Sequence, residues 1–328
     1  MPKAAQFHEY GGPEVLKIEE VPREEPGPGE VRLKVEACAL NRADALLREN
    51  RHAVKLASFP ARIGYEGSGV IEAVGHGVTG LKVGDRVSTI PVGTFHCMCA
   101  ETAVLPAEAV TRYPDSLSPL EATSFWMQYL TAWGALNEYG QIGSNDVVLV
   151  TAASSSAGVG AIQLVKDVGA TCIATTRARE KKQQLLQVGA DHVVVTNEEN
   201  LGDTVVALTN GKGARLIYDP IGGATTFECG RAVADEGIIF IYGALDPAPP
   251  QVNVIAMALK RATIRPYSMI TIFANPDARE RGKAYVMDRV ARGVFKPIID
   301  RVFPLDQIVE AHRYMESNEQ IGKIVLQC

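Results

Sequence analysis

The sequence lacks the long apolar runs and the cationic blocks that mark several large classes of protein. No uninterrupted apolar run is long enough to cross a bilayer, and residues 1–9 alternate polar and apolar side chains where a signal peptide would have an apolar core. Lysine and arginine do not cluster, and the formal net charge of −5 offers no cationic face to nucleic acid. These absences predict a cytoplasmic protein that binds neither membranes nor nucleic acid.

Cysteine is also sparse, with six residues scattered over a chain of 328. A small secreted domain held together by disulfides would carry its cysteines much more densely. We therefore expect reduced thiols, most of them buried as small apolar side chains. The length exceeds what one hydrophobic core usually organises, so two domains are expected.

The hydrophobic pattern changes near residue 125. Before it, short β-like runs at 31–35, 69–74 and 86–90 alternate with turns rich in glycine and proline, which is typical of an irregular antiparallel barrel or sheet. After residue 146, continuous apolar runs alternate with segments that can carry helices, as a parallel sheet covered on both faces requires. The strands predicted in this second part lie at 147–152, 172–175, 192–195, 216–218, 238–242 and 262–266, and the helices at 161–168, 180–188 and 227–233.

The end of the chain differs from both parts. Helices are predicted at 280–292 and near 307–315, and a strand at 321–326 closes the sequence. Because the parallel-sheet pattern separates this last strand from the early β-rich part, we expect the chain to return and complete the first domain.

A serine-rich loop follows the first strand of the parallel pattern and leads into a helix that is apolar on one face. A tight turn at such a place puts the free N–H groups and the positive end of a helix under a pyrophosphate. The usual G-x-G-x-x-G pattern is degenerate, because Ala153 and Ser155 stand at the first two positions and Gly158 at the third. A dinucleotide site is predicted here, with a plain capping loop on a buried helix as the alternative. The residues expected to contact the cofactor are Ser154, Ser155, Ser156, Ala157 and Gly158.

The end of the second strand predicts which dinucleotide binds. NAD-specific sites place a carboxylate there, about 20 residues beyond the glycine loop, to accept from the ribose 2′-OH. Here the strand ends at Thr176, and the nearest acid, Glu180, stands inside the next helix. Three cations follow the strand closely, namely Arg177, Arg179 and Lys181. Such side chains make charge-assisted bonds to phosphate, so Thr176, Arg177 and Lys181 favour NADPH, whereas a solvated helix start is the alternative.

Eight short segments, spread in order over the whole chain, carry a family likeness. They are GGPEVL at 11–16, ALNRAD at 39–44, GYEGSG at 64–69, VGDRV at 83–87, LTAW at 130–133, GAD at 189–191, YDPIG at 218–222 and GKIVL at 322–326. Together they resemble the zeta-crystallin-like quinone oxidoreductases, the zinc-free branch of the medium-chain dehydrogenase/reductase superfamily.

The resemblance implies an α/β fold with two domains. One would be a GroES-like, barrel-like β-rich catalytic domain formed by residues 1–124 and 266–328. The other would be a Rossmann domain with a doubly wound parallel sheet, formed by residues 125–265. Members of this family are commonly homodimers, so a homodimer is expected as well.

The resemblance also bears on metal binding. Alcohol dehydrogenases of the superfamily hold a catalytic zinc ion with three side chains, and the corresponding positions fall at or beside Asn41, at Tyr65 and near Gln128. None of these is a thiolate or an imidazole, which zinc prefers. His96, Cys97 and Cys99 form the remaining candidate cluster, but their spacing is too tight for a usual zinc site and no second pair is present. No metal is expected.

Without a metal, hydrogen bonds must polarise the substrate. Asn41 corresponds to the family's active-site asparagine, which could donate to a substrate oxygen, although asparagine is equally suited to capping a loop. The tyrosines that several quinone reductases carry a few residues later are missing, which leaves Tyr65 and His52 as candidate proton donors. His52 has an intrinsic pKa suited to proton transfer, but a histidine in a charged loop is more often simply solvated.

Further cofactor contacts are implied at the ends of later strands. Tyr242 and Gly243 follow a predicted sheet strand at its carboxyl end, where ligands bind in such sheets. Lys323 is expected to contact phosphate, as in relatives, and Glu66 is expected to be a buried structural hydrogen-bonding residue.

The activity implied is NADPH-dependent, zinc-independent reduction of a quinone or an α,β-unsaturated carbonyl compound. One alternative is a zinc-free oxidoreductase of ketones, alcohols or enoyl thioesters, which the missing tyrosines make credible. Another is a protein that binds NADPH but catalyses little.

Overall fold

A computed structural model describes residues 1–90 and 97–328. The backbone contacts divide the chain into two units. The first unit consists of Met1–Met127 and Pro297–Cys328, and the second of Gln128–Lys296.

The regular elements follow one another along the chain as β-strands and mostly short helices. The strands are β1 (Lys3–Phe7), β2 (Lys17–Glu20), β3 (Glu30–Ala39), β4 (Ala61–Arg62), β5 (Glu66–Val74), β6 (Arg86–Thr89), β7 (Thr102–Pro106), β8 (Val110–Arg112), β9 (Val147–Val150), β10 (Thr171–Thr176), β11 (His192–Val195), β12 (Ala214–Asp219), β13 (Val233–Ile241), β14 (Thr263–Pro266), β15 (Ile299–Pro304) and β16 (Lys323–Gln327). The helices are α1 (Arg42–Arg48), α2 (Pro119–Ala122), α3 (Trp126–Trp133), α4 (Ser156–Val168), α5 (Lys182–Val188), α6 (Leu201–Leu208), α7 (Thr225–Ala232), α8 (Val254–Leu259), α9 (Ile270–Phe273), α10 (Pro276–Ala291) and α11 (Ile308–Ser317). A π-helical turn, Gly134–Tyr139, continues α3.

The first unit is built on mostly antiparallel sheets. The larger sheet has the order β15-β16-β3-β5-β6-β8, with β7 also paired to β3, and a smaller sheet has the order β2-β1-β4. Alternate residues of β3, such as Val31, Leu33 and Val35, pack into a core with Ile71 of β5 and Val87 of β6. The pairing of β16 with β3 brings the end of the chain back to this unit, as the sequence predicted.

The second unit is a six-stranded sheet in which every neighbouring pair is parallel. Its order is β11-β10-β9-β12-β13-β14, the doubly wound order of a Rossmann fold. Leu149, Ile173, Ile217 and Ile239, one from each of four strands, are fully buried in one core. Continuous apolar strands of this kind are buried on both faces, so the predicted fold class is confirmed.

The later boundary between the two units differs from the predicted domain boundary. The sequence predicts that boundary at 265/266, whereas residues 266–296 belong to the second unit. Helix α10 packs so closely on this unit that a Cβ at Gly282 would lie 2.9 Å from the Trp133 ring. Arg289 of the same helix pairs with Asp167 at 2.9 Å. These contacts hold 266–296 on the Rossmann unit and move the boundary to 296/297.

Among the described residues, none of the helices combines the length and the apolar character that crossing a bilayer requires.

A buried histidine in the first unit should make the protein sensitive to acid. His312 of α11 is fully buried, and burial, together with the charges of Arg48 and Arg42, lowers its pKa to about 3. Because the unfolded chain binds the proton more readily, the stabilising effect of the neutral ring is complete above about pH 6.5 and is lost as the pH falls toward 3. We expect the free energy of unfolding to drop by about 2 kcal/mol between pH 6.5 and pH 5 from this group.

Urea denaturation at the two pH values checks this prediction. His312→Leu should remove most of the extra acid sensitivity, whereas His76→Leu, at an exposed position in the same unit, should leave it unchanged. An equal loss of stability with pH in the wild type and in His312→Leu would contradict the assignment.

Candidate active site

The start of α1 is fixed by a buried carboxyl group. One oxygen of Asp44 accepts from the backbone N–H of Asn41 at 2.9 Å, and the other accepts from the N–H of Gly64 at 3.0 Å. Asp44 is fully buried, and burial raises its pKa to about 7 although both hydrogen bonds act in the opposite direction. The carboxyl group therefore ties the β3–α1 turn to the segment that carries Tyr65. Asp44 was not among the predicted site residues, although an acid three residues after an N-cap asparagine is a recognisable capping signal.

Asn41 belongs to a buried polar network. Its Oδ1 accepts from Lys323 Nζ at 2.8 Å, and its Nδ2 donates to Glu66 Oε2 at 3.1 Å and to the Ala39 carbonyl at 3.2 Å. Lys323 and Glu66 form an ion pair at 2.5 Å and are each only 1% exposed. Glu66 also accepts from the N–H of Met127 at 2.7 Å.

This network bears on two expectations from the sequence. Both hydrogens of the Asn41 amide are already engaged, so the structure does not offer Asn41 as a donor to a substrate oxygen. Lys323 is buried and paired with Glu66, and its expected contact with a cofactor phosphate stays a prediction. The role expected for Glu66, a buried hydrogen-bonding residue, agrees with the structure.

The two candidate proton donors lie together. Tyr65 Oη is 3.3 Å from His52 Nε2, within hydrogen-bonding distance. Burial, followed by the charge of Asp44, raises the pKa of Tyr65 well above its ordinary value. Burial lowers the pKa of His52, whose Nδ1 accepts from the N–H of Val54 at 3.0 Å.

The backbone before Tyr65 requires a glycine. Gly64 has a φ of +119°, and a Cβ there would lie 2.5 Å from the backbone nitrogens of Met98 and Cys99. With no side chain, this position lets the segment pass close to its neighbour, and the N–H of Gly64 reaches Asp44. The orientation of Tyr65 therefore depends on a turn that a larger residue would displace.

In the second unit, the serine-rich loop connects β9 to α4 at the carboxyl edge of the parallel sheet. Ser155 is the N-cap of α4, and its Oγ accepts from the N–H of Gly158 at 3.1 Å. A Cβ at Gly158 would lie 2.6 Å from Ala153, so only glycine allows the helix to pack this closely on the strand. Ser154, Ser155, Ser156 and Ala157 are partly exposed. The free N–H groups of the first helical turn can therefore receive an anionic group.

The cations after β10 occupy different environments. Lys181 is largely buried, with Nζ 3.4 Å from Ser154 Oγ, so its charge lies at the serine-rich loop. Arg177 is exposed at the end of the strand, whereas Arg179 pairs with Glu198. The hydroxyl of Thr176 accepts from the N–H of Ala178 and caps its own turn. Lys181 and Arg177 are thus the two cations of the predicted pocket that remain suited to a phosphate.

The carboxyl ends of β12 and β13 lie at the same edge of the parallel sheet as the serine-rich loop. Tyr242 stacks on Tyr218 with ring centroids 3.9 Å apart, and a Cβ at Gly243 would lie 2.7 Å from the Pro220 carbonyl. Asp219 is buried, accepts from Thr151 Oγ1 at 2.5 Å and organises the following turn. Tyr242 and Gly243 therefore lie where the sequence placed them, at the carboxyl ends of parallel strands.

Comparison with known proteins identifies the family. Residues 27–152 match the family model of the alcohol dehydrogenase GroES-like domain, and residues 188–326 match that of the zinc-binding dehydrogenases. A quinone oxidoreductase of Pseudomonas aeruginosa is 30% identical over 99% of both chains. The chain belongs to the medium-chain dehydrogenase/reductase superfamily. A 2-haloacrylate reductase of a Burkholderia species is 29% identical, again over 99% of both chains.

Solved structures of superfamily members show the same architecture. The quinone oxidoreductase of Escherichia coli, solved in complex with NADPH, has a TM-score of 0.92 at 26% identity and covers 99% of this chain and 100% of its own. A structure described as an NAD-dependent alcohol dehydrogenase has a TM-score of 0.91 at 32% identity over 99% of both chains. The two-part fold expected from the sequence is thereby confirmed.

The zinc that one of these family descriptions names does not fit the residues of this superfamily member. Asn41 and Tyr65 stand at two of the positions expected for zinc ligands, and neither side chain is a thiolate or an imidazole. Asn41 is in addition engaged in the Glu66–Lys323 network, and Tyr65 contacts His52. Within residues 1–90 and 97–328, no three histidine, cysteine or acidic side chains are grouped so that they could hold a metal ion. His96, part of the candidate cluster with Cys97 and Cys99, lies outside the described residues. Zinc independence stays a prediction.

Proposed function

We propose that this protein is a reductase that transfers a hydride from NADPH to a quinone or an α,β-unsaturated carbonyl compound without a metal ion. The observation that carries the cofactor choice is the position of Lys181 beside the serine-rich loop, together with the absence of a carboxylate at the tip of β10. The relatives support the reaction class, since both a quinone and a haloacrylate offer an electron-poor π system to a hydride.

The residues of this chain divide the work between the two units. When bound, NADPH supplies the hydride. In the second unit, Ser155 and the first turn of α4 would hold the pyrophosphate, and Lys181 and Arg177 the 2′-phosphate. In the first unit, Tyr65 would give a proton to the reduced substrate, which turns a quinone into a hydroquinone and an enone into a saturated carbonyl compound. The buried network of Asn41, Glu66 and Lys323 would stabilise the fold of that unit.

The test is NADPH oxidation by protein that has been stripped of metal with a chelator. The acceptors are 9,10-phenanthrenequinone, a simple enone, 2-chloroacrylate and a saturated ketone. Turnover of the quinone or of either alkene acceptor without zinc would support the proposal, and the preferred acceptor would choose among these classes. Turnover of the ketone alone, with NADH preferred, would favour the alcohol dehydrogenase alternative suggested by one structural neighbour. NADPH binding without turnover of any acceptor would favour a binding role.

The phosphate pocket can be tested by charge removal. Changing Arg177 and Lys181 together to alanine is expected to raise the KM for NADPH about 10- to 100-fold, because hydrogen bonds to charged groups contribute roughly 1.5–3 kcal/mol. The KM for NADH should change little. Arg179→Ala is the matched control, since this arginine is already paired with Glu198. An unchanged ratio of the two KM values in the double variant would show that the phosphate binds elsewhere.

We also propose that the protein is a homodimer. Strand β14 is an edge of the six-stranded sheet, and helix α8, which precedes it in the chain, exposes Ile255 and Leu259 at 76% and 80%. An unpaired edge next to apolar side chains can pair with its own copy around a two-fold axis. Sedimentation should give a mass of twice 35.3 kDa. Changing Ile255 and Leu259 together to lysine should give the monomer, whereas Val83→Lys, at an exposed apolar position in the first unit, should not. The cytoplasmic location remains a prediction from the sequence.

A further inference from the structure

The hydrogen bonds of His52 define which of its nitrogens carries the proton. Nδ1 lies 3.0 Å from the backbone N–H of Val54, and a backbone N–H can only donate. Nδ1 must therefore be the unprotonated nitrogen. In the neutral ring the proton then sits on Nε2, and burial favours this neutral form by lowering the pKa of His52.

The protonated nitrogen faces the candidate acid. Nε2 is 3.3 Å from Tyr65 Oη, so the imidazole donates to the phenol oxygen. A phenol oxygen that accepts from His52 directs its own hydrogen elsewhere. The arrangement thus fixes Tyr65 as a donor toward a third group and His52 as a donor toward Tyr65.

Tyr65 needs such a partner in order to act as an acid. Only 7% of its surface is exposed, and the carboxyl group of Asp44 adds to the cost of forming a phenolate. A hydrogen bond donated to the oxygen stabilises the phenolate more than the neutral phenol, and therefore makes the proton easier to release.

We propose that His52 is a positioning residue for proton transfer by Tyr65, a role that rests on the proposed reductase function. In this step the O–H bond of Tyr65 breaks, and its proton forms a bond to the substrate anion produced by hydride addition. The electron pair of the broken bond stays on the phenolate oxygen, which the Nε2–H of His52 stabilises. Solvent returns the proton after the product leaves. His52 itself does not protonate the substrate, because Nδ1 is occupied by Val54 and Nε2 by Tyr65.

Kinetics of five variants, counting Tyr65→Phe alone and combined with His52→Leu, test the proposal in the holoenzyme. His52→Leu removes the donor and should lower kcat about 10- to 100-fold, the size expected when a hydrogen bond to a charged group is lost, with little change in the KM for NADPH. His52→Gln keeps an N–H donor on a side chain of similar length and should recover part of the activity. In the Tyr65→Phe background, His52→Leu should have no further effect, since the group it serves is gone. His76→Leu, at an exposed histidine in the same unit, is the control.

The outcomes separate this proposal from the reductase function itself. Turnover by the wild type tests the proposed reductase function. The role of His52 is tested separately, by whether the effects of substitutions at positions 52 and 65 on kcat are coupled. If His52→Leu lowers kcat as much in Tyr65→Phe as in the wild type, the two residues act independently and the proposal is overturned.

A second measurement does not depend on turnover. Long-range ¹H–¹⁵N NMR of histidine-labelled protein, with His52→Gln to assign the signal among six histidines, reports the tautomer directly. We expect an unprotonated Nδ1 and a protonated Nε2 at neutral pH, and a change in the Nε2 signal in Tyr65→Phe. A protonated Nδ1, or a signal that Tyr65→Phe leaves unmoved, would overturn the proposal even if no substrate is found.

Discussion

Replacing Lys323 by methionine is expected to lower the free energy of unfolding of the first unit by about 3–5 kcal/mol, because it leaves the Glu66 carboxylate buried without its partner. The pair is 2.5 Å long, and both side chains are almost completely excluded from solvent. Asn41 loses the donor to its Oδ1 as well. The effect is therefore larger than that of an exposed ion pair, which contributes about 0–1 kcal/mol.

The two tryptophans allow this unit to be followed separately. Trp126 belongs to the first unit and donates to Ser88 Oγ at 2.9 Å, whereas Trp133 lies in the second. In a Trp133→Phe background, urea unfolding monitored by fluorescence therefore reports on the first unit. Lys34→Met, which removes an exposed lysine from β3, is the matched control and should change the midpoint little.

A double variant separates charge from packing. Glu66→Leu combined with Lys323→Met removes both charges and should be less destabilised than Lys323→Met alone, since replacing a buried ion pair by apolar side chains is often nearly neutral. Destabilisation of the double variant equal to the sum of the two single variants would mean that the two residues are not coupled. In that case the 2.5 Å pair contributes nothing specific to the fold.

The sequence predicted secondary structure best where the apolar pattern of one segment depends only on how that segment is buried. The apolar runs of the parallel sheet predicted strands β9 to β12 within a few residues, because a strand buried on both faces must be largely apolar. Strand β15 was missed, since its partly exposed residues include Asp300 and Arg301, which interrupt any apolar pattern. Helix α1 was not predicted, because a segment of seven residues is too short for a helical pattern of apolar side chains to be recognised.

The sequence is least informative where the outcome depends on distant partners. Asn41 and Lys323 are 282 positions apart, and nothing in one sequence shows that they meet in a buried network with Glu66. The unit boundary differs from the predicted domain boundary for the same reason, since the pattern of α10 does not reveal which unit its buried face covers. The position of Lys181 beside the serine-rich loop could be inferred because the strand before it and that loop belong to one local β-α-β arrangement, and its contact with a phosphate stays a prediction.

The candidate proton donors show a third situation. From the sequence, Tyr65 and His52 are alternative proton donors, because each is chemically able to transfer a proton and the sequence gives no distance between them. The structure brings them within 3.3 Å, so the question becomes which of the two gives its proton and which supports the other. The backbone N–H of Val54, which donates to His52 Nδ1, indicates that His52 supports Tyr65, and no sequence pattern predicts this hydrogen bond.

Replacing Tyr65 by phenylalanine is expected to lower kcat with an enone about 10²- to 10⁴-fold, the range typical for loss of a general acid. The KM for NADPH should stay nearly constant, because the residues proposed to hold the cofactor belong to the second unit. Tyr113→Phe is the matched control, since Tyr113 is another buried tyrosine of the first unit whose hydroxyl has no hydrogen-bond partner in the described part of the chain.

The size of the effect should depend on the acceptor. Hydride addition to a quinone leaves a hydroquinone anion, which water can protonate on oxygen without help. Hydride addition to an enone leaves an enolate, a stronger base that must be protonated before it reverts, so a positioned acid matters more. We therefore expect a smaller loss of kcat with 9,10-phenanthrenequinone than with the enone. Equal losses with both acceptors would indicate that Tyr65 positions the substrate, and full activity with both would mean that the proton comes from another group.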